Sequence, residues 1–291
     1  MRRREYKITN LDGTESITLN RNGYVLSSMD LGYIDVNTSS YTGSGQMGRT
    51  VTSRNYTTRD VYMTGHIVAD SETEMRNLKV AFQRIVAPMH DFWLVVDGKY
   101  KLRLMADTTL QYDSHAYRNN DLLCSFALSC TASNPFFQTV EDSVGRLSGW
   151  VADFHFPYCN PVGQRFIFGH KNETKVYDIN NESEVACGMV ITLKAIGGTV
   201  VNPQVLNVDT MEALKVNGTL NASETLVIDT TYGQKSIRNV TTGANWLHMF
   251  DLESTWLQIG PGVTSFKCDC DESSTGTIEA QVAFTPYLLG V

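Results

Sequence analysis

The stretch that decides the fold runs from residue 61 to residue 88 and reads VYMTGHIVADSETEMRNLKVAFQRIVAP. Its first eight residues are typical of a β-strand. Ser71 and Glu74 then form the S-x-x-E pattern of a capping box, whose side chains satisfy backbone N–H groups left without partners at a helix start. Pro88 ends the pattern, because proline cannot continue a helix. The sequence therefore predicts a strand followed directly by a helix over 71–86.

This predicted helix has one apolar face. The residues that form it at helical spacing are Met75, Leu78, Phe82, Ile85 and Val86. A stripe of this kind normally packs on the core of a domain, so we expect it to cover a sheet. A cofactor groove along the same stripe is the weaker interpretation.

The remaining pattern is that of β-structure. Apolar and polar residues alternate over 100–104, 122–130, 189–195 and 278–284. Such alternation buries one face of a strand and leaves the other in water. Asp97-Gly98 and Asn217-Gly218 are dipeptides that favour tight hairpin turns. The sequence therefore predicts a mainly β chain.

A length of 291 residues is typical of two domains. Residues 138–149 are polar and contain two glycines, which favours a boundary there. We therefore predict a first β domain over 1–145, including the helix, and a β-sandwich over 146–291. Residues 150–187 scatter aromatic side chains among prolines, and their pattern predicts no particular fold.

The charge balance argues against a nucleic-acid-binding protein. The net charge is −7, the pI is about 5.4, and 19% of residues are charged. Binding to phosphate backbones needs a basic face, and the only dense basic run is Arg2-Arg3-Arg4, which we expect to be a solvated terminus.

The sequence also lacks the marks of export and membrane insertion. The residues after the three arginines contain no apolar segment, so we predict no secretory signal. No apolar run approaches the length of about 18 residues that a membrane span needs. Six cysteines are too sparse for a disulfide scaffold, and we expect reduced thiols.

Residues 41–59 form an unusual polar segment. Small, flexible residues at 41–48 are followed by arginines interleaved with Thr, Ser and Tyr. We interpret the segment as a long exposed hairpin or arm that contacts other subunits, with a disordered loop as the alternative. The candidate contact residues are Tyr41, Gly43, Gly45, Arg49, Arg54, Tyr56 and Arg59.

The sequence contains no catalytic motif of the nucleophile-elbow, zinc-protease or phosphate-loop kind. We therefore expect no enzymatic activity and no cofactor. Cys268 and Cys270 are spaced so that both could bind one metal, but a structural zinc site needs a second pair, which the sequence lacks. Residues two apart share one face of a strand, so we interpret both as core residues and expect no metal.

Two tryptophans are candidates for stacking on a sugar. Trp246 and Trp256 could form such a platform in the second domain. Tryptophan is largely buried in most proteins, so a role in capping the sandwich core is the favoured interpretation.

Several stretches, in chain order, resemble the distal tail proteins of siphophages. These are RDVYMTGHI (59–67) before the helix, FALSC (126–130) and NPFF (134–137), LVIDT (226–230), QIGPGV (258–263) and VAFTPYL (282–288). Residues 150–187 match poorly. The resemblance otherwise covers most of the chain and preserves its order.

The resemblance implies a fold and an assembly. The first domain is expected to be a β-barrel-like or split-barrel domain that closes into a homohexameric ring, and the second a galectin-like sandwich that projects outward. The ring is expected to join the tail tube to the tail-tip hub, with DNA passing through its lumen without specific binding.

The same resemblance implies where the protein acts. Its expected place is the virion, at the phage tail tip, and the cytoplasm of the host bacterium during assembly. The sandwich is expected to hold receptor-binding proteins or to touch host glycans, and no contact with a membrane is implied. The family has no catalytic residue to carry over.

Three other functions stay open at this point. A carbohydrate-binding module would expose its tryptophans, and another tail-tube or baseplate subunit would share the ancestry but usually has one β domain. A hydrolase would need titratable residues clustered in one cleft.

Overall fold

The computed structural model describes residues 4–291 except 116, 118, 121, 147–149, 153–168 and 172–175. Arg2, Arg3 and the Trp150 side chain thus lie outside the described residues, as does Cys159. The chain forms two compact units, Met1–Val140 with Leu288–Val291, and Glu141–Tyr287. The predicted boundary after residue 145 lies slightly later. The difference arises because Ser143–Arg146 form a strand that pairs with Thr277–Phe284 of the second unit.

The first unit is one antiparallel sheet with one helix. Its elements are β1 (Tyr6–Asn10), β2 (Ser16–Thr18), β3 (Tyr24–Asp30), β4 (Ile34–Tyr41), β5 (Thr50–Val68), α1 (Glu72–Ile85), β6 (Asp91–Val96), β7 (Tyr100–Ala106), β8 (Gln111–Tyr112), β9 (Leu123–Ala132) and β10 (Phe137–Thr139).

The strand order in this sheet is β2-β1-β6-β7-β9-β5-β3, with β4 added to β5, β8 to β9 and β10 to β7. Within the described residues the two ends of this order do not pair, so the sheet is open and no closed barrel forms. The prediction of a mainly β chain with one packed helix is confirmed.

Helix α1 begins where the sequence predicts. The N–H of Glu74 donates to Ser71 Oγ at 3.3 Å, and the Glu74 carboxylate accepts from the N–H of Asp70 at 2.9 Å. The first bond satisfies a donor that the first turn leaves open, and the second ties the residue before the N-cap to the helix. At the other end, the N–H of Val86 donates to Phe82 O.

Phe82 joins the helix to the sheet. Its side chain is fully buried and makes edge-to-face contacts with Tyr24 and Phe126, at centroid distances of 5.6 and 5.0 Å. Gly65 makes this approach possible, because a Cβ there would lie 2.6 Å from Phe126 Cζ. The apolar stripe of the helix therefore fills the core of the first unit, as predicted.

Replacing Phe82 with Ala removes the centre of this core. We expect Phe82→Ala to lower the free energy of unfolding by about 3–5 kcal/mol, because it leaves a cavity between helix and sheet. Val80→Ala, on the exposed side of the same helix, is the matched control and should change it by less than about 0.5 kcal/mol. Urea titrations followed by circular dichroism measure both, and equal effects would contradict this account of the core.

The second unit contains two main antiparallel sheets. Its elements are β11 (Ser143–Arg146), β12 (Trp150–Ala152), β13 (Gly169–Lys171), β14 (Val176–Asn181), β15 (Met189–Ile196), β16 (Val200–Val201), β17 (Gln204–Asn207), β18 (Ala213–Lys215), β19 (Thr219–Leu220), β20 (Thr225–Asp229), β21 (Ser236–Asn239), β22 (Ala244–Asn245), a 3₁₀ turn (Leu247–Met249), β23 (Gly262–Asp269), β24 (Thr277–Phe284) and β25 (Tyr287–Leu288), whose last residue belongs to the first unit.

One sheet has the order β11-β24-β15-β20-β21-β22 and the other β14-β23-β17-β18. Alternate residues on both are fully buried, for example Ile191 and Leu193 on β15, and Val205 and Phe266 on β17 and β23. Two sheets that each bury one face against a common core make a sandwich. The predicted alternation over 189–195 and 278–284 is confirmed.

The two hairpin signals have different outcomes. Asp97 and Gly98 both have positive φ, 52° and 67°, as a type I′ turn requires, and they connect β6 to β7. The prediction of a hairpin at Asn217-Gly218 is wrong. The dipeptide links β18 to β19, which lie in different sheets. Tertiary packing overrides the local preference, because β18 pairs with β17 and β19 pairs with β16. Gly218 itself lies against Trp246, where a Cβ would be 3.0 Å from Cζ3.

Candidate assembly surface

A long β-ribbon extends from the first unit. It comprises β4, the turn 42–49 and residues 50–58 of β5, and is called the arm below. The register runs from Tyr41 opposite Thr50 to Val36 opposite Tyr56. At about 3.3 Å per residue, the arm part of β5 spans about 30 Å.

Strand β5 changes environment along its length. Its second half pairs with β9 over Arg59–Val68, and with β3 on the other side. Within the described residues, the arm half pairs with β4 alone, and β4 pairs with nothing else. The arm therefore presents two backbone edges, and none of the described strands pairs with their outward N–H and C=O groups.

The side chains of the arm are exposed on both faces. Nearly every residue of 35–58 is exposed, including Tyr41, Val51 and Tyr56. Met47, at the tip, is 100% exposed. An isolated two-stranded ribbon is only marginally stable in water, so an arm of this length is typical of a segment that gains a partner.

Hydrogen bonds hold the tip of the arm in one shape. The N–H of Gly43 donates to Gln46 Oε1 at 3.0 Å, and Gln46 Nε2 donates to Thr50 Oγ1 at 2.8 Å. Gly45 and Gly48 have φ of 76° and 86°, where a side chain would be strained. The structure thus places Tyr41, Gly43, Gly45, Arg49, Arg54 and Tyr56 of the predicted contact residues together in the exposed hairpin.

The seventh predicted contact residue, Arg59, requires a correction. It is 3% exposed and lies at the base of the arm. Its Nε donates to Pro135 O at 2.8 Å, Nη1 to Leu31 O at 3.3 Å and Nη2 to Leu289 O. The guanidinium also lies 4.8 Å from the ring centroid of Phe137. Arg59 therefore holds the base of the arm instead of facing a partner.

Because Arg59 is buried, its charge and its N–H donors need partners within the protein. Burial lowers the pKa of the Arg59 guanidinium, yet an arginine stays charged near neutral pH. A buried charge is tolerated when its N–H donors have acceptors. Three carbonyl oxygens accept hydrogen bonds from Nε, Nη1 and Nη2 of Arg59. None of the ion pairs formed within the described part of the chain involves Arg59.

Close packing also stabilises the base of the arm. Gly32, with φ of 62°, lies so near β5 that a Cβ would be 1.9 Å from Asp60 O. Tyr56 contacts Phe136 edge to face at 5.3 Å. These contacts fix where the arm leaves the sheet, and neither Gly32 nor the whole of β4 was predicted from the sequence.

The arm has a local charge opposite to that of the molecule. Its exposed residues 35–58 contain Asp35, Arg49 and Arg54, whereas the chain as a whole carries −7. Opposite local charges steer two surfaces together and favour one orientation. The arm is therefore suited to contact an acidic surface.

The two candidate sugar-stacking tryptophans, Trp246 and Trp256, lie in different surroundings. Trp246 is 8% exposed. Trp256 stacks on Phe250 at 4.6 Å with an interplanar angle of 9°, and Lys235 Nζ lies 5.3 Å from its ring centroid. Trp246 is thus buried, as the favoured interpretation expects, whereas Trp256 is partly exposed and packs against Phe250 and Lys235.

The described residues contain no cluster of metal-ligating side chains. No group of three His, Cys, Asp or Glu in them could hold a metal ion. Cys268 and Cys270 are partly buried, and burial raises the pKa of Cys268.

No helix in the described part of the chain is long and apolar enough to cross a membrane.

The fully buried thiols of Cys130 and Cys187 provide a test, because burial shifts the pKa of both in the same direction. Burial raises the pKa of Cys130 to about 12 and that of Cys187 to about 11, from an ordinary 9.0. Because these pKa values rise on folding, their contribution to stability is complete below about pH 9 and is lost as the pH approaches 11–12.

At pH 8 both thiols should therefore react with iodoacetamide at least about a hundredfold more slowly in the folded protein than in urea. Peptide mass spectrometry assigns the modification to each cysteine. Equal rates in the folded and urea-unfolded protein would contradict the burial of these thiols.

Comparison with known proteins agrees with this architecture. Residues 182–286 match the family model of the siphovirus-type tail component, C-terminal domain. A search of the curated proteins found no significant sequence match.

Solved structures resemble nearly the whole chain. The crystal structure of SPP1 Dit, described as a paradigm of the hub adsorption apparatus in phages infecting Gram-positive bacteria, matches with a TM-score of 0.68 and 11% identity, covering 97% of this chain and 98% of that one. Structures of the activated phage p2 baseplate with Sr and with Ca match with TM-scores of 0.59 and 0.55, each with 14% identity and 98% coverage of both chains. At these identities the likeness concerns the fold.

The family match covers residues 182–286 of the second unit, and the structural matches cover nearly the whole chain. Together they support a structural role in the distal tail of a phage. Residues 182–286 therefore resemble the C-terminal domain of siphovirus-type tail components, and the chain has a fold similar to that of SPP1 Dit, which confirms the resemblance to siphophage distal tail proteins.

Proposed function

We propose that this protein is a structural, non-enzymatic subunit that forms a hexameric ring at the distal end of a phage tail. The ring joins the tail tube to the tail-tip hub, and the second unit serves as an attachment platform for host-recognition proteins. The arm of one copy makes the contact with the next copy around the ring.

The observation that carries this proposal is the arm with its two unpartnered backbone edges. A strand edge of this kind binds another chain by adding a strand, and main-chain hydrogen bonds then supply much of the affinity. A ring needs contacts between two different surfaces of the same subunit. A projecting arm that reaches a distant surface of the neighbour meets that requirement.

The charge distribution supports the same role. The negative net charge disfavours tight binding of DNA, since neutralisation of phosphates by lysine and arginine provides most nonspecific affinity. A ring of such subunits would let a genome pass through its lumen. The two exposed arginines of the arm become neutralised when they meet an acidic neighbour.

Shortening the arm tests the proposal. Val36 and Tyr56 are register partners, so joining them through an Asn-Gly turn in place of residues 37–55 keeps the base of the ribbon intact. We expect this variant to remain monomeric in mass photometry at concentrations where the natural chain forms hexamers. Its urea midpoint should stay close to that of the natural chain, because the removed residues are exposed.

A pair of single variants controls for surface changes in general. Met47 at the arm tip and Met89 outside the arm are 100% and 89% exposed. We expect Met47→Ser to weaken assembly and Met89→Ser to leave it unchanged. Hexamers of undiminished stability in the shortened variant would overturn the role of the arm.

A further inference from the structure

Residues 288–291 belong to the first unit although they follow the whole second unit in sequence. Leu288 and Val291 pack against the core of the first unit. The carbonyl oxygen of Leu289 accepts a hydrogen bond from Arg59 Nη2. These residues thus reach the base of the arm, 230 positions away along the chain.

Arg59 joins three segments that are otherwise separate. Its acceptors lie in the link between β3 and β4, in the segment between β9 and β10, and at residue 289. The first of these segments begins the arm, and Arg59 itself lies where β5 passes from the arm into the sheet.

Removing one acceptor affects the others. Arginine presents its N–H donors in a rigid planar fork, so a guanidinium cannot rotate to satisfy one donor without disturbing the rest. A buried donor without an acceptor is destabilising, more so when the group is charged. Loss of the Leu289 carbonyl would therefore let water enter the base of the arm or let its backbone move.

We propose that residues 288–291 act as a clasp that fixes the base of the arm through Arg59. The clasp makes the geometry of the arm depend on residues synthesised after the second unit. A partly synthesised chain then holds a loosely anchored arm, and the arm is set for assembly only when the clasp has docked. The link to assembly rests on the proposed function, whereas the anchoring itself does not.

Hydrogen exchange on dilute monomers tests the anchoring without requiring a ring. The variants are a chain ending at Tyr287, Arg59→Lys, which keeps the charge but loses the planar fork, and Leu289→Ala, which keeps the backbone acceptor. We expect the first two to exchange amides at 31–36 and 56–60 about tenfold faster than the natural chain. Leu289→Ala should match the natural chain, and strands β15 and β24 should not change in any variant.

Exchange at the arm base within twofold of the natural chain in the shortened protein would overturn the clasp. If that protein loosens throughout the first unit, including β6 and β7, Arg59→Lys decides: faster exchange confined to the base supports the clasp, and unchanged exchange overturns it. Mass photometry separates the two proposals. If the natural chain never assembles but the variants exchange faster at the base of the arm, the proposed ring is wrong and the clasp stands.

Discussion

Strand β5 is a continuous strand of 19 residues with two different roles, and the burial of Arg59 marks where they meet. Beyond this residue the strand is at the centre of a sheet, with neighbours on both sides and alternate side chains in the core. Before it the strand is half of an exposed ribbon. Because a strand is stiff and the arginine is held by three carbonyls, the direction of the arm follows from the core of the first unit.

This arrangement separates stability from interaction. The core around Phe82 and the sandwich of the second unit bury their apolar residues without help from the arm. The arm contributes exposed backbone edges and a small positive charge. Edge strands are normally shielded against association, so a long open edge is retained where association is useful. The matches to phage tail proteins agree with a structural role.

Local patterns predicted the parts of the fold that local physics controls. The capping residues and apolar stripe specified α1, period-two alternation specified β15 and β24, and Asp97-Gly98 specified a turn that needs positive φ at both positions. Strand β4 was missed over most of its length, because both of its faces are exposed and no alternation marks it. The exposed arm was predicted from its polarity alone.

Long-range packing determined what the sequence could not reveal. Arg59 looked like one of a series of arm arginines, and only its carbonyl acceptors, 76 and 230 positions away, show that it is buried. Asn217-Gly218 has the composition of a hairpin turn but packs against Trp246. Trp246 itself is 8% exposed. In each case a residue's surroundings come from distant segments, which no local pattern records.

Electron microscopy of the purified protein in negative stain tests the central claim, that the arm exists to join copies of this chain, most directly. The account predicts six-fold rings with a central hole, in which density for the arm reaches the adjacent subunit. Solitary particles at every concentration, or rings in which the arm points into solvent, would contradict it.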